Sequence, residues 1–329
     1  MNELQKIFEN NQLIMKLYSL YISEYNNSIN KSQVEELSST CDIDLEYAFY
    51  LLFVNYLGLD IVDNKEHLAL ANEYIRPYLK CLDENTYNTN PYYRNVTPNE
   101  KKKGKWTLKY LTYKPYELFV CDDLKINKYK EFPNVGYFKN EFKYLAVLED
   151  NHEWMLITPN EIETMKEPIK KAFGKVITFG LGLGYFAYMT SIKENVESVT
   201  IIEKDQNVID LFKSEILPFF EYKNKIKIIC ADAFDVFKNG INDYDYCFID
   251  IWHDASDGVS LYAKFKKYEK INCDVIIDYW VERTLVSYIK WYVFSHFDSL
   301  KKYNKLSNDV LIEDVLDDKF INRLLIEKN

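Results

Sequence analysis

The chain has 329 residues, of which 47% are hydrophobic and 28% are charged, and its formal net charge is −10. A chain of this length is expected to form about two domains. The negative charge argues against a nucleic-acid partner, because a nucleic-acid track usually needs a basic face. The sequence shows neither a secretion signal nor an apolar run near the roughly 20 residues of a membrane span, so we expect a cytoplasmic protein without a membrane contact.

Six cysteines are spread along the chain without a Cys-x-x-Cys pair. This spacing indicates neither a zinc site nor a disulfide framework. We therefore predict reduced, structural thiols and no metal site. The six are Cys41, Cys81, Cys121, Cys230, Cys247 and Cys273.

Residues 1–88 are predicted to form a helical N-terminal domain. Apolar residues recur at helical spacing over residues 3–25. A capping box over Ser32 to Glu35 predicts the start of a second helix, and a third helix is predicted from Asp42 to Leu57. The succession resembles a winged-helix unit. Its third helix begins with carboxylates that would repel phosphates, so we expect a homodimer contact or a substrate lid instead of DNA binding.

Residues 89–158 are predicted to form a linker and a small β-hairpin unit. The predicted strands are Tyr116–Val120, Phe142–Leu148 and Trp154–Ile157. Four polar residues join the last two strands, which predicts a hairpin. A helix is predicted from Pro159, kinked or interrupted at Pro168.

Residues 159–329 are predicted to form an α/β domain with a doubly wound, mostly parallel sheet and a helical C-terminal extension. Five short apolar runs, rich in β-branched or aromatic residues, alternate with helical segments in this part of the chain. Ligands of such sheets bind beyond the carboxyl ends of the strands. The predicted strands are Val176–Phe179, Val199–Ile202, Ile226–Cys230, Tyr246–Ile251 and Val275–Ile277.

Glycine is scarce, with 9 residues in 329, and three of the nine lie in one turn at Gly180, Gly182 and Gly184. The turn directly follows the first strand of the α/β domain, and Tyr185 opens the helix after it. Glycines allow backbone N–H groups to approach a ligand closely, and a helix start favours negative charge. The turn, together with Tyr185, is therefore predicted to line a cofactor site.

Acidic residues follow the next two strands. Glu203 ends the second strand, about 20 residues after the glycine turn, where a carboxylate can accept both hydroxyls of a ribose. Asp232 and Ala233 follow the third strand, and the Asp232 carboxylate can accept the amine of adenine or cap the next helix. We predict that Glu203 with its neighbour Lys204, and Asp232 with Ala233, bind the cofactor.

Three titratable residues follow the fourth strand, at Asp250, His253 and Asp254. An acceptor substrate would meet the cofactor there. We predict that all three are catalytic and that Asp250 also contacts the cofactor, with His253 as a general base. His253 and Asp254, with Asp257 and Asp278, are of types that ligate metals, but nothing in the sequence fixes the geometry of such a site.

The ordered set of the glycine turn, Glu203, Asp232 and Asp250 resembles the class I S-adenosylmethionine-dependent methyltransferases, and within them the spermidine-synthase-like branch. The resemblance covers about residues 159 to 280. It implies a Rossmann-like methyltransferase core, with the glycines along the methionine part of S-adenosylmethionine, Glu203 at the ribose, and Asp232 with Ala233 at the adenine. Two features depart from the family. Thr178 stands where many methyltransferases have an acid, and the antiparallel hairpin that usually closes the sheet is not legible.

The predicted function is S-adenosylmethionine-dependent methyl transfer to an oxygen or nitrogen of a small molecule. In the spermidine-synthase branch an Asp-x-x-Asp pattern follows the fourth strand, and its first Asp acts on the substrate amine. Asp250 matches the first position, whereas His253 replaces the second, which favours methyl transfer with a histidine base. Three alternatives stay open. They are aminopropyl transfer from decarboxylated S-adenosylmethionine, a nicotinamide dinucleotide on the same glycines, and a non-catalytic nucleotide-binding module.

Overall fold

The structure is a computed structural model that describes residues 3–272, 274–303, 305–307 and 309–327. Cys273 lies outside the described residues, and the other five cysteines are free thiols. No helix within the described ranges is long and apolar enough to cross a membrane.

The α-helices are α1 (Glu3–Leu20), α2 (Lys31–Cys41), α3 (Leu45–Tyr56), α4 (Lys65–Leu70), α5 (Glu84–Asn88), α6 (Pro91–Asn95), α7 (Pro159–Lys171), α8 (Tyr185–Ser191), α9 (Gln206–Glu215), α10 (Ala233–Lys238), α11 (Ala255–Tyr268), α12 (Glu282–Ser295), α13 (Phe297–Lys302) and α14 (Asp318–Glu327). Two π-helical turns, Tyr21–Tyr25 and Ala71–Ile75, continue α1 and α4.

The strands are β1 (Leu79–Leu82), β2 (Lys101–Lys103), β3 (Trp106–Tyr113), β4 (Phe119–Val120), β5 (Lys125–Asn127), β6 (Lys130–Phe132), β7 (Val135–Phe138), β8 (Phe142–Glu149), β9 (His152–Leu156), β10 (Gly174–Phe179), β11 (Val196–Glu203), β12 (Ile226–Cys230), β13 (Tyr246–Ile249) and β14 (Ile276–Tyr279). They form sheets in the orders β1-β7-β4, β2-β3-β8-β9, β5-β6 and β12-β11-β10-β13-β14.

The chain divides into two compact units that interleave along the sequence. The first unit comprises Met1–Asn90, Tyr110–Leu145 and Thr158–Glu163, and the second comprises Pro91–Lys109, Ala146–Ile157 and Thr164–Asn329. The predicted domains, 1–88, 89–158 and 159–329, follow a different division of the chain and stay predictions.

Aromatic side chains of helices and strands build the core of the first unit. The ring of Phe49 in α3 lies 4.1 Å from that of Tyr137 in β7, and Phe53 meets Tyr21 edge to face at 4.8 Å. Helices α1 to α4 therefore share one core with β7 and its neighbours. The helix predicted over residues 3–25 is present as α1 and the π-helical turn after it.

The second and third helices begin at other residues than predicted. The N-cap of α2 is Asn30, not Ser32, since the Asn30 side chain accepts the Gln33 N–H at 3.1 Å and the Gln33 side chain accepts the Asn30 N–H at 2.9 Å. Asparagine caps as well as serine, and its box partner stands at the right spacing. Asp44 caps α3, while Asp42 ends α2 with a positive φ of 51°. No strand lies between α3 and α4 in this fully described stretch, so no wing follows the third helix there.

Backbone conformation explains where the predicted strands end. Tyr116 has a φ of 64°, which a strand residue does not adopt, so the strand predicted over Tyr116–Val120 shrinks to β4. The predicted hairpin of β8 and β9 is confirmed, with Asp150 and Asn151 at φ of 47° and 70° in its turn. Of the kink or interruption predicted at Pro168, the interruption is absent, because α7 continues through this residue and the Pro168 carbonyl accepts the Ala172 N–H.

The second unit contains the predicted parallel sheet. Each neighbouring pair in the order β12-β11-β10-β13-β14 is parallel, and no antiparallel strand joins this sheet within the described residues. The chain runs outward from β10 through β11 to β12, and then returns to the other side of β10 as β13. Strands β10 and β13 therefore flank the topological switch point, where ligands of open α/β sheets bind.

Candidate functional site

The carboxyl ends of the central strands bring the predicted site residues to one edge of the second unit's sheet. The glycine turn follows β10, Glu203 ends β11, Asp232 follows β12 and Asp250 follows β13. Parallel neighbours end at the same edge, so these residues are neighbours in space as well as in strand order.

The three glycines of the turn differ in what surrounds them. A Cβ at Gly180 would come within 1.9 Å of the Asp250 carbonyl oxygen, and a Cβ at Gly184 within 2.4 Å of the Phe212 ring. These two glycines let the turn pack against its own protein neighbours. Gly182 has a φ of 53°, and a Cβ there would meet nothing within 4 Å, so its side of the turn is open. A ligand can approach the backbone most closely at Gly182.

Two backbone N–H groups of the turn are not used by the fold. The Gly180 N–H donates to the Ile202 carbonyl, and the Gly184 N–H to the Leu181 carbonyl, each at 2.9 Å. The N–H groups of Gly182 and Leu183 have no hydrogen-bond partner within the described part of the chain. An electronegative group of a ligand can therefore be bound by the turn without breaking a protein hydrogen bond.

Tyr185 lies inside the protein, where its side chain is 4% exposed. Its ring meets that of Tyr92 edge to face, with centroids 5.5 Å apart. The structure thus gives the predicted cofactor-binding Tyr185 a packing contact behind the turn.

Glu203 links the turn to the end of β11. One carboxylate oxygen accepts the Leu181 N–H at 3.3 Å and the other accepts the Asp205 N–H at 2.8 Å. A carboxylate can accept about four hydrogen bonds, so each oxygen keeps the capacity to bind a further donor such as a ribose hydroxyl. The adjacent Lys204 side chain is exposed.

Asp232 is exposed and caps α10. One carboxylate oxygen accepts the N–H groups of Phe234 and Asp235 at 2.9 and 3.0 Å, so Asp232 fulfils the capping role that the sequence allowed. Its second oxygen stays available to a ligand. Ala233 is half-buried beside it. Cys230, which is exposed, ends β12 just before Asp232, and its thiol lies 3.6 Å from the Lys204 carbonyl oxygen.

Asp250 is the residue with the most unusual environment at this edge. Its N–H donates to the Phe179 carbonyl at 2.9 Å, which holds it beside the glycine turn. Its carboxylate has no hydrogen bond or ion pair with any residue that the structure describes. Burial raises the pKa of Asp250 from 3.8 to about 7. A carboxyl group with this pKa can gain or lose a proton near neutral pH.

The other two predicted catalytic residues lie in different surroundings. The His253 side chain is exposed, and its ring stacks on that of Trp154 with centroids 5.7 Å apart. Asp254 is the N-cap of α11 and forms a capping box with Asp257. Its hydrogen bond from the Ser256 hydroxyl lowers the pKa of Asp254. Neither residue is held in the environment that distinguishes Asp250, and their predicted catalytic roles stay predictions.

Among the residues that the structure describes, no group of three or more His, Cys, Asp or Glu side chains is placed to hold a metal ion. Asp278 is engaged elsewhere, since it accepts the Tyr246 hydroxyl at 2.6 Å and pairs with Lys171 at 2.9 Å.

Sequence reasoning missed Tyr92, which lies in a segment predicted to be a linker. Its hydroxyl donates to the Leu183 carbonyl of the glycine turn at 2.6 Å. The two residues are 91 positions apart, and the polar, proline-containing segment around Tyr92 has no periodicity that could indicate burial.

No family model matches the chain, and no curated protein matches it in sequence. Two solved structures similar to it are spermidine synthases, the branch that the sequence motifs resemble. The enzyme from Thermotoga maritima has 14% identity and a TM-score of 0.33, over 46% of this chain and 59% of that chain. A spermidine synthase in complex with the transition state analogue AdoDATO has 17% identity and a TM-score of 0.31, over 41% of this chain and 51% of that one. The chain thus matches between half and three fifths of their length, and a likeness of this size assigns no function by itself.

Proposed function

We propose that this protein transfers an alkyl group from an adenosyl sulfonium donor to an amine, with Asp250 as the base. The observation that carries the proposal is the unpartnered Asp250 carboxyl, with a pKa of about 7, beside the glycine turn at the switch point. A general base works best when its pKa lies near the working pH. The proposal accounts for a half-buried carboxyl that no residue of the described chain neutralises.

Three groups at the same edge fit the nucleoside part of such a donor. The Glu203 oxygens can accept two ribose hydroxyls, and the second Asp232 oxygen can accept the adenine amine. The open backbone at Gly182 allows close approach of the donor's remaining part. Together these groups hold the donor's sulfonium near the end of β13, where the acceptor amine would meet Asp250.

The donor would supply an electrophilic carbon bound to positive sulfur. The amine nitrogen bonds to that carbon as the carbon–sulfur bond breaks, and the bonding electron pair leaves on sulfur as a neutral thioether. Asp250, as the carboxylate, takes the proton that the amine nitrogen loses. Holding amine and donor in line lowers the barrier further by removing the entropy of encounter.

Aminopropyl transfer is favoured among such reactions. The sequence preference for methyl transfer depended on His253 as the base, and His253 is exposed against Trp154. Since Asp254 caps α11, Asp250 is the remaining base among the three residues predicted to be catalytic. An aspartate that acts on a substrate amine is what the resemblance to the spermidine-synthase branch implies. The proposed donor is therefore decarboxylated S-adenosylmethionine and the proposed acceptor a small amine.

Methyl transfer from S-adenosylmethionine is the second candidate, because the residues proposed for the nucleoside fit both donors. The donors differ at the amino-acid end, where S-adenosylmethionine carries a carboxylate. The free N–H groups of Gly182 and Leu183 could bind that carboxylate. Thr178, which is 3% exposed, provides no acid for the ammonium group.

Calorimetry with the two sulfonium donors and with a nicotinamide dinucleotide tests the proposal. We expect the decarboxylated donor to bind best and the dinucleotide not to bind. Cys230 supplies an independent readout, since a bound nucleoside next to Glu203 should slow its alkylation by iodoacetamide, while the exposed Cys41 of the first unit keeps its rate. Absence of binding by both sulfonium donors, with unchanged Cys230 alkylation, would contradict the proposal. Binding of S-adenosylmethionine alone would favour the second candidate.

A further inference from the structure

The geometry points to Tyr92 as a positioning residue that fixes the glycine turn in the orientation that binds the donor. The inference rests on the proposed function for what the turn binds, but the contact itself is a property of the free protein. Tyr92 is 1% exposed, and its hydroxyl donates to the Leu183 carbonyl over 2.6 Å in a buried environment.

The ring of Tyr92 is fixed on both sides by aromatic packing. It meets Tyr185 and Tyr188 edge to face, with centroids 5.5 Å away in each case. Both of these tyrosines belong to α8, the helix that the glycine turn opens. The Tyr92 hydroxyl therefore has a defined position relative to the turn and little freedom to follow a displaced carbonyl.

Helix α6, which carries Tyr92, has further anchors. The Asn95 side-chain amide donates to the Tyr188 hydroxyl at 2.7 Å, and the Tyr93 hydroxyl donates to the Ile157 carbonyl. Two consecutive tyrosines thus bind backbone carbonyls of different segments, one in the glycine turn and one after β9. This pair offers a matched comparison for the contribution of the Tyr92 contact.

The peptide between Leu183 and Gly184 is fixed at both of its ends. Its N–H, on Gly184, donates to the Leu181 carbonyl, and its carbonyl, on Leu183, accepts the Tyr92 hydroxyl. With this peptide held, the free N–H groups of Gly182 and Leu183 keep a constant orientation. Tyr92 therefore acts on donor binding through the turn and without touching the donor.

The glycines make this support necessary. Gly182 and Gly184 have positive φ values of 53° and 75°, and glycine adopts several backbone conformations with little difference in energy. Leu183 is 2% exposed, so its carbonyl would lie buried and unpaired without Tyr92. An unpaired buried carbonyl is unfavourable, and rotation of the peptide between Leu183 and Gly184 is the simplest way to relieve it. We expect such rotation to misalign the N–H groups that bind the donor.

The test compares Tyr92→Phe with Tyr93→Phe. Each change removes from α6 one hydroxyl that donates to a backbone carbonyl elsewhere in the chain. Tyr92→Phe should weaken binding of decarboxylated S-adenosylmethionine about fivefold to tenfold, the scale of one lost buried hydrogen bond. In the steady state the KM for the donor should rise while the KM for the amine stays unchanged. Tyr93→Phe should leave donor binding within about twofold of the parent chain. Asn95→Ala, which loosens α6 with the Tyr92 hydroxyl intact, should give a smaller loss in the same direction.

Amide hydrogen exchange without any ligand keeps the inference separate from the proposed function. Tyr92→Phe should raise the exchange rate of the Gly184 amide, whose bond to Leu181 depends on the held peptide, and Tyr93→Phe should not. Equal donor affinity and equal Gly184 exchange in the parent and Tyr92→Phe would overturn the inference. If the parent chain bound neither sulfonium donor but Gly184 exchange rose as expected, the proposed function would fail while the control of the turn by Tyr92 would stand.

Discussion

Two glycine–aspartate pairs join β10 to β13, one at each end, and they differ in how their carboxylates are used. At the amino end, a Cβ on Gly174 would lie 2.2 Å from an Asp245 carboxylate oxygen, and that oxygen accepts the Lys175 N–H at 2.7 Å. At the carboxyl end, a Cβ on Gly180 would lie 1.9 Å from the Asp250 carbonyl oxygen, yet the Asp250 carboxylate has no partner among the described residues. The Asp245 carboxylate thus forms a hydrogen bond with the backbone of β10, whereas the Asp250 carboxylate forms none with the residues described.

The difference separates structural from functional acids within one strand pair. An acid with a hydrogen bond to the backbone, such as Asp245, stabilises the fold through that bond. An acid without such a bond, such as Asp250, contributes no hydrogen-bond energy to the fold, and partial burial raises its pKa because it disfavours the charge. Acids whose pKa is raised in this way are found more often at functional sites than elsewhere in proteins.

The largest expected effect comes from replacing Asp250 with asparagine, with the same change at Asp245 as the control. Asp250→Asn should lower turnover by roughly 10²- to 10⁴-fold, the usual contribution of a general base, with donor affinity little changed. Asp245→Asn should retain turnover and lower the free energy of unfolding by at most about 1 kcal/mol, because the asparagine amide oxygen can still accept the Lys175 N–H. Steady-state kinetics and thermal unfolding of both variants measure the two effects. Equal turnover in the two variants would contradict the assignment of a functional role to Asp250 and a structural role to Asp245.

A second comparison concerns two acids at the end of β11. Glu203→Gln should weaken donor binding by roughly tenfold to a hundredfold, because hydrogen bonds to a charged acceptor contribute about 1.5 to 3 kcal/mol. Asp205 caps α9 and accepts the Asn207 N–H, so Asp205→Asn serves as the control with donor affinity retained. Calorimetry with the donor distinguishes them, and an unchanged affinity for Glu203→Gln would exclude a ribose contact.

The smallest effects are expected where the sequence predicted catalysis at His253 and Asp254. Asp254→Ala should lower the free energy of unfolding by about 1 kcal/mol through loss of the α11 cap. His253→Ala removes an exposed ring and should change turnover by less than about threefold, since surface changes seldom exceed about 0.5 kcal/mol. Turnover assays of both variants at neutral pH check this. A hundredfold loss for His253→Ala would restore histidine as the base and favour methyl transfer.

The sequence predicts much of the second unit because its signals are local. Short apolar runs indicated the parallel strands, and β12 has its predicted bounds of Ile226–Cys230. The order of strand ends also placed Glu203, Asp232 and Asp250 at one edge correctly. Asp254 could have been recognised as a cap, because Asp257 stands at the spacing of a capping box.

Long-range contacts account for the parts that the sequence did not predict. His253 is paired with Trp154 and Tyr92 with Leu183, and each pair is separated by about 90 residues or more without a pattern that links its members. The environment of Asp250 is another such property, since its pKa depends on burial by the folded sheet and on the absence of a partner among the residues described.

The pH dependence of product formation tests the role of Asp250 most directly. Burial raises its pKa to about 7, and only the deprotonated form can accept a proton from the amine, so activity must increase as the pH rises through that value. The measurement is kcat/KM for the amine acceptor between about pH 5 and pH 9 with decarboxylated S-adenosylmethionine, in the parent chain and in Asp250→Asn. The account predicts a rise with a midpoint near 7 in the parent and its loss in the variant. The same rise in both proteins would contradict the assignment of Asp250 as the base.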